Sequence, residues 1–293
     1  MDLNDRFAAI IIAYYPESSK FLKLIRSLSE QGCGNIVVYM NSELEDSLKL
    51  ECKFCKFIGT GENLGLGRAI NLSFEYLYDS FGDNLVVFTF DQDTEIANDF
   101  LENMQVSYHA IKNSEYQFSA VVPRVFDFRS DGYEYKLPQV SPNKHGFVFL
   151  KMALQSGMLI DYQTWACNKF NEELFIEYVD TEWCFRLRSY GKHIYQSSGS
   201  FIFHELSDDL PKNFLGMKLL KYSPLRRYYF YRNSFFMLRS KHVTTYYKFR
   251  ILTAFVNRFF SIFIFEGPKI ESIRMSIKGG LDGIRSKFGR FSI

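Results

Sequence analysis

This chain of 293 residues lacks a long apolar run. The most extended candidate, Phe259 to Phe265, is closed off by Arg258 and Glu266. It falls far short of the roughly 20 apolar residues that a membrane-spanning helix needs, so a helical membrane span is excluded. Cysteine is scarce: five residues, an odd number, scattered at Cys33, Cys52, Cys55, Cys167 and Cys184. Cys52-x-x-Cys55 has neither a second pair nor a nearby histidine, so no zinc site is expected and the thiols read as reduced and cytosolic. Met1-Asp2-Leu3-Asn4-Asp5 places no basic segment ahead of an apolar stretch, so no secretory leader is expected. Internal repeats and low-complexity segments are missing too. Acids nearly vanish toward the C-terminus. From Lys212 onward, seventeen Lys and Arg face only Glu266, Glu271 and Asp282, although the whole chain carries a net charge of just +2. An acidic body with a basic end points that end toward phosphate, nucleic acid or anionic lipid.

What is present is an ample core, since 47% of the residues are hydrophobic and 18% aromatic. Ala8 to Ala13, Asn35 to Met40, Cys55 to Ile58 and Leu85 to Phe90 read as four strands. Helical patterns separate them, one through Leu22, Leu24, Ile25 and Leu28 and another from Ala69 to Tyr78. Continuously apolar strands alternating with helices predict a parallel sheet covered on both faces. Further strands are predicted at Ser119 to Arg124, Met152 to Ile160 and Ile194 to Phe203, around a helix at Thr181 to Tyr190. Tyr133 to His145 reads as a loop or hairpin near the site. The body is expected to span 1–210, with a mostly helical, basic and aromatic region at 211–293.

Asp91-Gln92-Asp93 directly follows the fourth strand. In an open α/β sheet the carboxyl ends of the strands are where ligands bind. Alternation puts Asp91 and Asp93 on one side, where they could share a hard divalent cation, or divide a ribose and a metal between them. A plain solvated turn is the alternative. Asn63-Leu64-Gly65-Leu66-Gly67-Arg68 offers two glycines, a helix N-terminus and a guanidinium for a pyrophosphate. Its place after the third strand and its missing third glycine argue against a dinucleotide fold. Glu177, Asp180 and Glu182 lie among apolar neighbours, which can raise a carboxylate's pKa into the range of a general base. The competing reading is a capped helix start, with Asp180 as N-cap. His204, at the end of a strand, is a candidate third metal ligand.

Together these segments resemble the family 2 glycosyltransferases of GT-A fold, most closely their bacterial rhamnosyltransferase-like branch. The resemblance runs in order over nearly the whole chain. Ala13-Tyr14-Tyr15-Pro16 is similar to the family's "TYNP" segment near the nucleobase. Asn63 to Asn71 matches "NxGxxxAxN", and Asp91-Gln92-Asp93 matches the metal-binding D-x-D. Gln155-Ser156-Gly157-Met158 matches the "SG" strand near the acceptor. Tyr178 to Trp183 matches the segment of the catalytic base, and His204 the metal-binding histidine. Gly280-Leu281-Asp282-Gly283 resembles "GxxDG". Two departures stand out: Met40-Asn41 replaces the usual Asp-Asn that meets the nucleobase, and Val179-Asp180 replaces the paired acids of galactofuranosyl enzymes.

The resemblance implies an α/β GT-A fold, a mostly parallel nucleotide-binding sheet flanked by helices, with a basic, aromatic helical extension. It implies inverting transfer of a sugar, L-rhamnose from dTDP-rhamnose in that branch, to a lipid-linked glycan of bacterial surface polysaccharide. Asp180 falls on the base. Ala13, Tyr14, Tyr15, Asn41, Asn63, Gly67, Arg68, Asp91, Gln92 and Asp93 fall on donor positions. Asp91, Asp93 and His204 would hold Mg²⁺ or Mn²⁺. Ser156, Gly157, Glu182 and Trp183 fall toward the acceptor, with Trp183 stacking on a sugar. Arg227, Tyr231 and Arg232 are candidates for a donor or lipid-linked pyrophosphate. Partners would be a dTDP- or UDP-sugar, the acceptor and the anionic inner face of the cytoplasmic membrane, with no nucleic acid.

Leu252, Phe255, Val256, Phe259, Phe260 and Phe263 share one helix face that could meet a membrane, the body or a second copy. Two rivals remain at this point. A sugar-nucleotide pyrophosphorylase should carry a Gly-rich loop where this chain has Tyr14-Tyr15-Pro16. A non-catalytic membrane or phosphate-binding module leaves the ordered acids unexplained.

Overall fold

The computed structural model describes residues 5–114, 117–127, 133–139, 147–204, 212–214, 217–265 and 267–292. The first half alternates as its apolar pattern requires: β1 (Arg6–Ala13), α1 (Ser18–Glu30), β2 (Ile36–Met40), α2 (Asp46–Glu51), β3 (Lys56–Ile58), α3 (Leu66–Phe81) and β4 (Leu85–Asp91). These strands lie in the order β3-β2-β1-β4, all parallel. Residues of β1 alternate between the two faces. Ala9, Ile11 and Ala13 join the core beneath α1 with Phe21 and Leu24, while Ala8, Ile10 and Ile12 join the core under α3 with Ile70 and Phe74. Burial on both faces is why the strand is apolar throughout. The register pairs Ile12 with Asp91 and Ala13 with Met40, so β1, β2 and β4 end at one edge.

The second half is mixed. It comprises β5 (Glu95–Ile96), α4 (Phe100–Ser114), β6 (Phe118–Asp127), β7 (Tyr133–Glu134), β8 (Val148–Leu150), β9 (Met158–Asp161), α5 (Tyr162–Cys167), a 3₁₀ turn at Glu172–Leu174, α6 (Val179–Ser189) and β10 (His193–Phe203). β9 runs antiparallel between β4 and β6, and β10 is parallel to β6. Uniformly parallel pairing thus holds for β3-β2-β1-β4 only. The strand expected at Met152 to Ile160 begins at Met158. A tight turn precedes it, in which Gly157 has φ +76° and donates its N–H to Thr89 O at 2.7 Å. α4 was not foreseen, although Phe100, Met104, Tyr108 and Ile111 recur at helical spacing and are buried. Much of the loop expected at Tyr133 to His145 lies outside the described residues, as does the expected boundary at 210/211.

The C-terminal region forms a hairpin, β11 (Lys212–Phe214) and β12 (Met217–Leu219), and then α7 (Pro224–Arg239), α8 (Thr245–Ile264) and α9 (Lys269–Ile284). α7 is not an exposed basic helix. Its buried residues run continuously from Arg227 to Ser234, because it is wedged against the body, α8 and α9. Ser272, Ser276, Gly279 and Gly283 make the buried stripe of α9. A Cβ on Gly279 would fall far inside contact distance of the Tyr228 carbonyl oxygen, and one on Gly283 would lie 2.7 Å from Arg232 O. Tyr228 Oη donates to Asp282 Oδ2 at 3.0 Å across the same contact. The Gly280-x-x-Gly283 segment is therefore a helix-packing device. Its critical first glycine is Gly279, since Gly280 meets only the Phe235 ring at 3.9 Å.

Candidate active site

One cavity of about 890 Å³ opens at the carboxyl edge of β1, β2 and β4 and is roofed by α7 and α8. On its floor, Asp91 ends β4 and Asp93 follows in the turn, while His204 comes directly after β10. His204 Nε2 is 3.5 Å from Asp91 Oδ2 and Nδ1 is 3.8 Å from Asp93 Oδ1. Gln155 Nε2 donates to Asp91 Oδ1 at 2.5 Å. Ser156 supports the turn from behind: its Oγ accepts from Asp91 N at 3.2 Å and sits 2.5 Å from Thr94 Oγ1. Gln92 points back to β1, accepting from Tyr14 N at 2.6 Å and donating to Tyr14 O at 3.0 Å. Burial pushes Asp91 above the usual carboxylate range. The His204 imidazole opposes this rise, and Asp93 adds to it.

Among the described residues, no group of three or more His, Cys, Asp or Glu side chains stands in closed metal-holding geometry. Mg²⁺ and Mn²⁺ do not require one when substrate phosphates complete the shell. Two hard carboxylates and an imidazole converge here. His204 Nδ1 is buried without a hydrogen-bond partner among the described residues. That donor set fits such a cation.

Across the cavity the chain makes an irregular approach to α6. Phe175, Glu177 and Tyr178 all have φ between 61° and 69°, a region unfavourable for side chains with a Cβ. The neighbours over-determine the bend. Asn233 Nδ2 reaches Leu174 O, Ile176 O and Glu177 O at 2.7–2.9 Å, and Arg232 Nη2 donates to Glu173 O and Leu174 O. Leu66 N, at the start of α3, donates to Phe175 O at 2.6 Å. The bend delivers Asp180 into the first turn of α6, behind Tyr178 as the helix cap; Asp180 is not itself the cap. Burial raises its carboxyl from 3.8 to about 6. Bonds from Thr181, one of them from its N–H at 2.6 Å, oppose the rise, and the carboxylates of Asp91 and Glu177 add to it.

The roof carries residues that sequence reasoning missed. Arg226 Nε donates to Glu177 Oε1 at 2.9 Å, and Arg258 Nη2 donates to Glu177 Oε2 at 3.1 Å. Burial pushes Glu177 up, but Arg258 and then Arg226 overcome it and hold the carboxyl below its ordinary value. Thirty-two positions separate the two arginines, and only the packing of α7 with α8 unites them. Gln155 was quoted as part of a motif but not as a site residue.

Several expected roles move. Trp183 is fully buried, stacked on Phe170 with ring centroids 5.0 Å apart and donating to Asn168 O at 2.6 Å, so it meets no sugar. Glu182 is 1% exposed and is occupied by the fork of Arg186 and by His242 Nε2 at 3.1 Å. Arg227 bonds Tyr222 O, Arg258 O and Ser261 Oγ; Tyr231 Oη donates to Phe255 O; Arg232 pins the 173–174 segment. These three residues hold helices together and do not line the cavity. Ser156 and Gly157 shape the turn under Asp91, where a Cβ on Gly157 would lie 2.8 Å from the Pro123 ring. Gly65 and Gly67 admit protein backbone: added Cβ atoms would meet Phe175 O at 2.7 Å and Asn171 O at 2.9 Å.

Asn41 lines the cavity, yet its amide holds the glycine loop, accepting from Leu64 N at 3.1 Å. Asn63 lines the cavity too, and its Oδ1 accepts from Gly65 N at 3.0 Å. Arg68 lies outside it, half exposed and 3.8 Å from Glu172. Ala13 is buried in the core, Tyr14 lines the cavity and Tyr15 stands exposed beside it.

A carboxyl sheet edge, a D-x-D turn beside a histidine, and a carboxylate across one cavity fit a GT-A-like architecture. No protein-family model matches the chain. Over 300 residues, covering 98% of both chains, it is 29% identical to the dTDP-rhamnosyl transferase RfbF of Shigella flexneri. That likeness over nearly the whole chain supports a glycosyltransferase activity.

Proposed function

We propose that this enzyme transfers L-rhamnose from dTDP-rhamnose, with inversion, to a hydroxyl of a lipid-linked glycan in bacterial surface-polysaccharide synthesis. The observation that carries the reading is Asp180, raised to about 6 and facing the same cavity as Asp91, Asp93 and His204. The likeness to the dTDP-rhamnosyl transferase RfbF over 98% of both chains supports dTDP-rhamnose as the donor.

Asp91, Asp93 and His204 would hold Mg²⁺ or Mn²⁺, whose chemistry when bound is to neutralise charge on a departing nucleoside diphosphate. Tyr14, clamped by Gln92, borders the nucleoside end, and Asn41 keeps the glycine loop in place. Asp180 accepts the proton of the acceptor hydroxyl as that oxygen bonds to the anomeric carbon. The bond from that carbon to the diphosphate oxygen breaks on the opposite face, and the electron pair leaves with dTDP. A base must be ionised to act. Because Asp180 is raised toward 6, kcat/KM should climb about tenfold per pH unit below pH 6 and level off above it. Heat stability of the protein should rise with dTDP-rhamnose plus Mn²⁺ and rise less with UDP-sugars. No stabilisation by any nucleotide sugar, or a rate independent of pH between 5 and 7, would contradict the reading.

The acceptor end of the proposal rests on α8 and α9. Phe249, Leu252, Val256, Phe259 and Phe263 project from α8, and Ile270, Ile277 and Ile284 from α9, all substantially exposed. Phe255 turns inward onto Tyr231. Exposed Arg250, Lys269, Arg274, Arg285 and Lys287 accompany them. No helix among the described residues is long and apolar enough to cross a membrane. An apolar stripe among cations suits an anionic lipid surface. Co-sedimentation with phosphatidylglycerol vesicles should be strong, should fall with phosphatidylcholine alone, and should drop at least several-fold in Phe259→Ser/Phe263→Ser. Equal binding by that variant, or a concentration-dependent dimer with no vesicle binding, would reassign the face to a protein partner.

A further inference from the structure

The Arg226–Glu177–Arg258 cluster holds two cations against one carboxylate, and all three residues line the cavity. Arg258 is built to stay in place: its guanidinium carbon lies 3.7 Å from the ring centroid of Tyr222 and 3.7 Å from that of Phe230, a two-sided aromatic sandwich. Its backbone carbonyl also accepts from Arg227 Nη1. One edge of the guanidinium is bonded to Glu177. Nη1, by contrast, is buried and has no hydrogen-bond partner among the described residues. Leaving a cationic donor desolvated and unpaired is costly, so such a group ordinarily marks a missing acceptor. A planar fork held between rings suits an oxyanion bearing several oxygens, and phosphate above all. The cluster also shares its cavity with Asp91 and Asp93 of the D-x-D turn.

We infer that Arg258, held by the Tyr222–Phe230 sandwich, binds a phosphate oxygen of the nucleoside diphosphate from the side opposite Asp91 and Asp93, and that Glu177 competes with the ligand for its guanidinium. The inference deepens the glycosyltransferase reading and rests on it. In this arrangement α8 completes the donor site. Arg226 also bonds Glu177 and so limits that competition. The interaction strengthens as the sugar departs, because the diphosphate gains charge when its bond to the anomeric carbon breaks.

The test is calorimetric titration of the full-length protein with dTDP in the presence of Mg²⁺, on wild type, Arg258→Gln, Arg258→Lys and Glu177→Gln. Loss of one charge-assisted bond should weaken dTDP at least about tenfold in Arg258→Gln. Arg258→Lys should recover little, because an ammonium fills neither the fork nor the sandwich. Glu177→Gln should bind dTDP as tightly as wild type or more tightly, since it removes the carboxylate that shares the Arg258 guanidinium. A purely structural cluster predicts the reverse pattern: Glu177→Gln, which breaks both ion pairs, would then weaken binding the most. Unchanged dTDP affinity in Arg258→Gln, or weakening by Glu177→Gln equal to that by Arg258→Gln, overturns the inference. Wild-type protein that fails to bind dTDP at all would count against the donor assignment beneath it.

Discussion

Asp180→Asn should abolish rhamnosyl transfer, by about a thousandfold or more, while leaving dTDP binding intact. A positioned general base contributes on the order of 10²–10⁴ to rate, and among the described residues no second carboxylate stands free to replace this one. Asp91 and Asp93 belong to the diphosphate end, Glu177 is bound to two arginines, and Glu182 is buried with Arg186 and His242. The same substitution should stabilise the fold. A carboxyl raised to about 6 binds its proton more tightly folded than unfolded, so the native state loses stability as pH rises from about 4 through 6. The asparagine removes that penalty. Its gain should be absent below about pH 4, grow through pH 6 and reach up to about 3 kcal/mol at pH 8, by the conversion of pKa difference to free energy. Urea melts of both proteins at pH 4, 6 and 8, beside a rate assay, check both halves. A variant that turns over normally, or one less stable at pH 8, contradicts the role assigned to Asp180.

The second large effect is expected far from the chemistry. Gly279→Ala should destabilise the protein by about 3 kcal/mol, at the upper end of what overpacking costs, which corresponds to roughly 6–10 °C in melting temperature. The obstacle is backbone: the new methyl would run into the Tyr228 carbonyl, and a Cβ on Gly283, one turn further on, would lie 2.7 Å from Arg232 O. Backbone in the middle of α7 cannot rotate aside as a side chain can. Gly280→Ala is the internal control. It meets only the edge of Phe235 at 3.9 Å, and replacing a glycine in the interior of a helix gains up to about 1 kcal/mol. Opposite signs at adjacent positions would establish the packing; equal effects would refute it. Because α7 holds the bend before Asp180 through Arg232 and Asn233, Gly279→Ala should also lower kcat more than melting alone explains.

The parallel half of the sheet was legible because both faces of its strands are buried and their sequence says so. Asp91, Asp93 and His204 were legible because each sits at a strand end, where a polar residue breaks an apolar run. Less local features escaped. Trp183, Glu182, Arg227, Tyr231 and Arg232 all have the right chemistry for a sugar or phosphate, but their partners lie in distant segments. Whether a side chain faces inward or toward a cavity is a tertiary fact. Arg258 illustrates the converse: on an apolar helix its charge looks like the edge of a solvated face, yet it is enclosed by Tyr222 and Phe230. The two glycines before α3 show a subtler ambiguity. Close approach of a pyrophosphate was expected there, but what approaches is the Asn171–Phe175 segment of the chain itself. The central core residue Asn71 is similar, with its amide bonded to Trp165 Nε1, Phe170 N, Phe170 O and Glu172 at 2.9–3.0 Å.

The central claim is spatial: donor phosphates on the Asp91–Asp93–His204 floor, and the proton acceptor Asp180 across the same cavity. A crystal structure of the protein with dTDP and Mn²⁺, with the manganese located by its anomalous signal, tests this directly. The account predicts one manganese peak bound by Asp91 or Asp93 and by His204, with the diphosphate between that peak and Arg258 and an open path from its terminal phosphate to Asp180. Nucleotide bound elsewhere, or bound in the cavity with manganese away from these three residues, would contradict it.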